Sequence, residues 1–116
     1  MTMLDLIPWV PVLPLERLTF DRGSCALVGK WQVALFRTSF DGQVHALSNF
    51  DPFSSSYVLS RGIVGTRGDV LTVASPIYKQ RFELRTGVCL DDPAVGVRTF
   101  PVRVLDRIVE VGLPDR

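Results

Sequence analysis

Cys25-Ala26-Leu27-Val28-Gly29-Lys30-Trp31-Gln32-Val33-Ala34-Leu35-Phe36 is the stretch that decides the fold class. Trp31, Val33 and Leu35 alternate with Gln32, Ala34 and Phe36, so the segment reads as a strand apolar on both faces. Gly29-Lys30 sits where a two-residue hairpin turn with Gly first would join it to Cys25–Val28. Further along, Asp41-Gly42 marks a second turn, followed by Val44, Ala46 and Leu47. Leu71 and Val73 alternate again, and Phe82 and Leu84 form a short strand that ends at Arg85-Thr86-Gly87. Phe100, Val102 and Val104 point one way and Pro101 and Arg103 the other, before Asp106-Arg107 turns the chain into Ile108–Val111. Arg107 stands where a tight turn prefers Gly, so a longer or strained turn is expected. Leu15–Thr19 is the only helical candidate and is barely one turn. Many short strands at a spacing of roughly 8–12 residues predict an all-β antiparallel barrel or sandwich. Ser48–Arg61 and Ser75–Lys79 do not read as strand, and long loops are where function concentrates.

Composition sets the outer bounds. The chain has 116 residues, 47% hydrophobic and 22% charged, which fits one globular domain and argues against a disordered chain. Thirteen basic and twelve acidic residues leave a net charge of +1, which speaks against a general nucleic-acid or anionic-membrane surface but leaves room for a local basic patch. Cys25 and Cys89 form no CxxC or zinc spacing, and a single histidine, His45, rules out a multi-histidine metal site. No run of about 18 apolar residues is present, so no spanning helix is expected. Met1–Val12 lacks the basic start and long apolar stretch of a signal peptide. The expected compartment is therefore cytoplasmic, with both thiols reduced and at least one buried as a small apolar residue.

The two loops carry a resemblance. Ser75-Pro76-Ile77-Tyr78, followed by Lys79-Gln80-Arg81-Phe82-Glu83-Leu84-Arg85-Thr86-Gly87, resembles the second half of a Rieske domain: Cys-Pro-x-His, a strand with Phe-Asp-Leu, then a Thr-Gly turn. Asn49-Phe50-Asp51 stands at the place of the first half, Cys-x-His. A Rieske cluster needs two thiolates on one iron and two imidazoles on the other. Asn49, Asp51, Ser75 and Tyr78 supply neither, Cys25 and Cys89 lie on other segments, and His45 falls outside both loops. Residues 9 to 112 as a whole resemble the small-subunit family of bacterial assimilatory NAD(P)H-dependent nitrite reductase. The segments that carry this are Trp9-Val10-Pro11-Val12, Val33-Ala34-Leu35-Phe36-Arg37, Ala46-Leu47-Ser48-Asn49-Phe50-Asp51-Pro52-Phe53, Val58-Leu59-Ser60-Arg61-Gly62-Ile63-Val64-Gly65, Ala74 to Phe82, and Leu90-Asp91-Asp92-Pro93. Asp106-Arg107 departs from the usual Asp-Gly, and Ser54-Ser55-Ser56 is more polar than the family pattern.

The resemblance implies a Rieske-like antiparallel β-sandwich or barrel forming one domain over 1–116. Its base lobe would span about 1–47 and 96–116, and a smaller loop-rich lobe, equivalent to the cluster lobe, about 48–95. It further implies an accessory subunit, without cofactor, metal or catalytic residue of its own, that binds and stabilises or regulates a large catalytic subunit. In that family the large subunit carries FAD, the NAD(P)H site, an iron–sulfur cluster and sirohaem, and reduces nitrite to ammonia in nitrate assimilation. Two other classes stay open: a Rieske-type [2Fe-2S] electron-transfer protein, and a free-standing Rieske-like binding module.

Individual residues are weighed against plainer roles. Asn49, Asp51, Ser75 and Tyr78 read better as hydrogen bonds replacing a metal clamp between two loop tips than as a modified redox site, since none has a redox role. Ser75 lacks a base to act as nucleophile, and His45 reads as a packed or surface strand residue. Lys79, Arg81, Glu83 and Arg85 share a face if their strand starts early, and a docking patch for an acidic partner and a solvated face are equal readings of it. Arg67-Gly68-Asp69 reads as a hairpin turn, Gly62, Gly65 and Gly68 as turns and close approaches, and Asp91-Asp92-Pro93 as loop. Phe50, Phe53, Tyr57 and Tyr78, with Lys79 and Arg81 nearby, mark Ser48–Tyr57 and Ser75–Arg81 as the expected contact face for the large subunit.

Overall fold

Alternation of apolar residues with turn residues between them yields a chain of short strands, seen in a computed structural model that describes residues 7–113. The reading of Met1–Val12 as free of a signal peptide lies partly outside these residues. The strands are β1 (Trp9–Pro14), β2 (Gly23–Val28), β3 (Trp31–Arg37), β4 (Val44–Ser48), β5 (Phe50–Asp51), β6 (Ser56–Tyr57), β7 (Ile63–Arg67), β8 (Val70–Ala74), β9 (Arg81–Glu83), β10 (Thr99–Phe100), β11 (Val102–Leu105) and β12 (Ile108–Gly112). Leu15–Arg17 and Leu59–Arg61 form single 3-10 turns. All strand pairs are antiparallel, in sheets ordered β1-β12-β11, β10-β4-β3-β2, β5-β6 and β7-β8-β9.

The sheet of β10-β4-β3-β2 is the middle layer. Val33 and Leu35 of β3 join Val28, Ala46, Phe100, Val109 and Val111 in one core, against β1-β12-β11. Ala34 and Phe36 point the other way and join Leu47, Leu71, Val73, Phe82 and Leu84 in a second core, against β7-β8-β9. Two-sided burial is therefore why Trp31–Phe36 carries apolar residues at successive positions. Burying a side chain such as Phe36, 0% exposed, contributes about 1.5–3 kcal/mol. Gly29, at φ +60°, takes the first position of the two-residue turn that pairs Val28 with Trp31. Gly68, at φ +62°, does the same between Arg67 and Val70, so Arg67-Gly68-Asp69 is a hairpin turn. Gly62 permits a close approach, because a Cβ there would collide with the Ala74 carbonyl oxygen.

Several expectations are corrected. Ser48–Arg61 is not all loop: β5 and β6 form a two-residue ribbon within it. Phe100 to Val104 is not one strand with one buried face. β10 pairs with β4, the chain changes sheet at Pro101, and β11 pairs with β12 at an edge, which leaves Val104 44% exposed. Lys79, Arg81, Glu83 and Arg85 do not share a strand face, because β9 starts only at Arg81, Lys79 lies in a turn at φ +65°, and Arg85 lies beyond the strand. Both cysteines are free, with Cys89 buried in the second core and Cys25 exposed. Among the described residues no helix is long and apolar enough to cross a membrane.

The last hairpin is strained rather than lengthened. Leu105 pairs with Ile108, so Asp106 and Arg107 fill a two-residue turn at φ +50° and +65°. Left-handed backbone costs an L-residue roughly 1–2 kcal/mol, part of which the greater freedom of an unfolded Gly takes back. Arg107→Gly is therefore expected to raise stability by up to about 1 kcal/mol in urea denaturation, even though it removes the exposed Arg107–Glu16 ion pair at 3.2 Å.

Candidate functional site

β4 delivers the first loop and β8 the second. Asn49 follows β4 directly, and its N–H donates to the Gln32 carbonyl at 2.9 Å, which fixes the loop to the middle sheet. Its side chain is 2% exposed. Asn49 Oδ1 accepts the Ser60 N–H at 2.7 Å, and Nδ2 donates to the Tyr57 carbonyl at 3.1 Å, with Gln32 Oε1 at 3.3 Å and Cys25 Sγ at 3.5 Å. Asn49 thus stitches the segment around the Leu59–Arg61 turn to β2 and β3.

Asp51 is fully buried and joins the two loops. Its carboxylate accepts the Ser75 hydroxyl at 2.5 Å, the Ser54 hydroxyl at 2.9 Å and the Phe53 N–H at 2.9 Å. Ser75, 1% exposed, in turn accepts the Ile77 N–H at 3.3 Å. A buried carboxylate satisfied by three donors is a stable tether, and each such charge-assisted bond is stronger than a neutral one. Tyr78 has a different setting: it is 61% exposed at the tip of the second loop.

The aromatic rings of the expected contact face divide. Phe53 packs on Phe82, with centroids 6.0 Å apart, and anchors its loop on the second core. Phe50 is half-buried against Tyr57 at 5.1 Å, while Tyr57 is 56% exposed. Lys79 is exposed, and Arg81 is held by its N–H to Asp91 at 2.8 Å and by its guanidinium to Thr72 Oγ1 at 3.4 Å. The Arg81 N–H bond, followed by the one from Arg67, holds the Asp91 carboxyl below the usual range.

A second polar cluster gives no signal in the sequence, since its members come from a loop, a strand and a distant turn. Asp41 accepts from His45 Nε2 at 2.8 Å, from the Gln43 N–H at 2.9 Å and from the Thr38 hydroxyl, with the Arg85 guanidinium at 3.5 Å. Burial pushes the Asp41 carboxyl up, but the bonds from Thr38, Gln43 and His45, with the His45 charge, outweigh it and hold the carboxyl well below the usual range.

The donor set does not fit a [2Fe-2S] cluster. The corresponding positions offer an amide, a carboxylate, a hydroxyl and a phenol, and the first three are taken up in protein hydrogen bonds. Among the described residues no three His, Cys, Asp or Glu side chains gather as a metal site.

Residues 8–112 match the Rieske-like [2Fe-2S] domain family. The chain is 42% identical over 103 residues to the nitrite reductase (NADH) small subunit of Escherichia coli, a match that takes in 89% of this chain and 95% of that one. It is 43% identical over 105 residues to a nitrite reductase NAD(P)H large subunit of Klebsiella oxytoca, covering 90% of this chain and 11% of that one. A crystal structure from Mycobacterium tuberculosis, described as an NADH-dependent nitrite reductase small subunit, matches with a TM-score of 0.91 and 45% identity, over 97% of this chain and all (100%) of that one.

Two measurements check the site's energetics. Asp51→Ala leaves buried donors unpaired and is expected to cost about 3 kcal/mol in urea denaturation, and the double variant with Ser75→Ala should cost less than the sum of the two single changes. Asp41 has a folded pKa below its unfolded value. Its contribution is therefore present above about pH 4 and lost as pH falls further, so Asp41→Asn should flatten the fall in stability on the acid side of that value.

Proposed function

The chain belongs to the Rieske-like small-subunit family of NAD(P)H-dependent nitrite reductase, and from that premise we propose that it is an accessory subunit without a cluster, which docks on the large catalytic subunit and stabilises or regulates it. The observation that carries this reading is the Asp51–Ser75 hydrogen bond, which joins the two loops that in a Rieske domain are bridged by iron and sulfur. The amide, carboxylate and hydroxyl are committed to protein partners, and none of these three is a redox group. On this reading its contribution to turnover comes through its surface.

The Klebsiella oxytoca relative supports the docking part. There an equivalent stretch lies within a longer chain named as the large subunit. In this reading the large subunit is the part that carries FAD, the NAD(P)H site, the iron–sulfur cluster and sirohaem and reduces nitrite to ammonia in nitrate assimilation. The compartment is cytoplasmic, consistent with two free thiols.

The test uses the full chain expressed with iron supplied, alone and together with its large subunit. The isolated chain is expected to be colourless, to hold iron and sulfide far below one cluster per chain, and to co-elute with the large subunit, whose nitrite-dependent NAD(P)H oxidation it should raise or prolong. Stoichiometric iron and sulfide would favour the electron-transfer class instead. Absence of co-elution would favour a free-standing module.

A further inference from the structure

The outer face of the β7-β8-β9 sheet holds a groove that no described residue fills. Val64, Leu71, Val73 and Phe82 point inward to the second core. In register, Ile63 lies opposite Ala74 and Ala74 opposite Arg81, while Gly65 lies opposite Thr72, so these residues share the other face. Because Gly65 and Ala74 are small, a hollow of about 390 Å³ remains between walls made by Arg61, Ile63, Pro76, Lys79 and Arg81.

Its chemistry is one-sided. Three basic side chains line it and no acidic one does, in a chain whose net charge is only +1. Among the described residues Arg61, Lys79 and Arg81 form no ion pair. The carboxylates around it have other partners: Asp51, behind the lining residue Ser75, takes the Ser75 and Ser54 hydroxyls and the Phe53 N–H, Glu83 takes the Thr86 hydroxyl at 2.8 Å, and Asp91 takes the Arg67 guanidinium and the Arg81 N–H. One wall is apolar and bare, since Ile63 is 76% exposed, and Ile77 (47%) and Tyr78 (61%) continue the exposed apolar surface along the second loop. That loop also carries two local costs, Lys79 at φ +65° and a buried Gln80 Oε1 without a donor. Such costs persist where a binding surface is held ready.

We propose that this groove seats an acidic segment of the large subunit, with carboxylates on Arg61 and Lys79 and an apolar side chain against Ile63 and Pro76. The inference rests on the docking role proposed above and names the surface and the chemistry of its partner. An inorganic anion would use the charges but leave most of the hollow and all of Ile63 unused, whereas a peptide bearing carboxylates and apolar groups uses both.

The test measures binding of the full chain to the purified large subunit at several ionic strengths. Arg61→Glu with Lys79→Glu is expected to weaken binding by about tenfold or more at low salt and to flatten its salt dependence. Gly65→Val fills the groove at little structural cost, because a Cβ there meets only the Arg81 guanidinium at 3.9 Å, and it should weaken binding at every salt concentration with the melting temperature kept. Lys79→Gly relieves the backbone and should raise the melting temperature while weakening binding. If the parent chain binds and all three variants bind within about twofold of it, the groove is not the seat and the docking role stands. If the parent chain itself does not bind, both proposals fall.

Discussion

Strand β3 is buried on both faces, and the rest of the molecule is registered to it. Val33 and Leu35 fill one core and Ala34 and Phe36 the other, so a slip of one residue would exchange Leu35 for Phe36 in both cores at once. Interiors packed at crystal density do not absorb such an exchange. Gly29 sets the register on one side by closing a two-residue turn, and the Thr38–Gln43 loop sets it on the other by pairing Arg37 with Val44. From there the constraint reaches the site. β4 carries its register into Asn49, whose N–H is bonded back to Gln32 of β3, and two residues later Asp51 meets Ser75.

What the sequence made legible follows from this. A strand buried on two sides leaves a continuous apolar run, and Gly29, Gly42 and Gly68 mark turns because each needs φ above zero. β1 left no such trace. Pro11 and Pro14 break the pattern of Trp9–Pro14, and the strand tolerates Pro11 because it lies on a sheet edge where the register shifts before Leu13. β7 is obscured by Gly65 at its centre and by an Ile63 that faces solvent. β10 and β11 read as one alternation, since a change of sheet at Pro101 leaves the period of two intact. Lys79 fits a strand pattern by spacing alone, and only the backbone reveals that it turns the chain.

The site was legible in its positions and in the hydrogen bond between its two loops, but not in the rest of its bonds. Asn49, Asp51, Ser75 and Tyr78 are found by motif spacing, but their separate roles depend on neighbours from other elements. Asn49 binds partners around the Leu59–Arg61 turn, Asp51 bridges to Ser75, and Tyr78 stands in solvent. A metal would tie all four positions to one centre. The Asp51 carboxylate ties only two, so the second loop is held at Ser75 while Tyr78 at its tip stays exposed. The groove beside that loop was legible only in part: Lys79 and Arg81 were read as a contact patch, whereas only the fold brings Arg61 and the small side chains of Gly65 and Ala74 up to them.

The pairing of β1 with β12 has a mechanical consequence. Trp9 lies opposite Gly112 and the Leu113 N–H reaches the Pro8 carbonyl, so the polypeptide enters and leaves this domain side by side, in the outer layer opposite the groove. Joined at both ends to a longer polypeptide, the domain would hang from a single spot, like a bead on a doubled thread, with the groove on the layer farthest from it. The same arrangement makes the spot weak under traction. Pulling on the paired ends loads the β1–β12 bonds one after another, so the ladder peels open instead of resisting in shear.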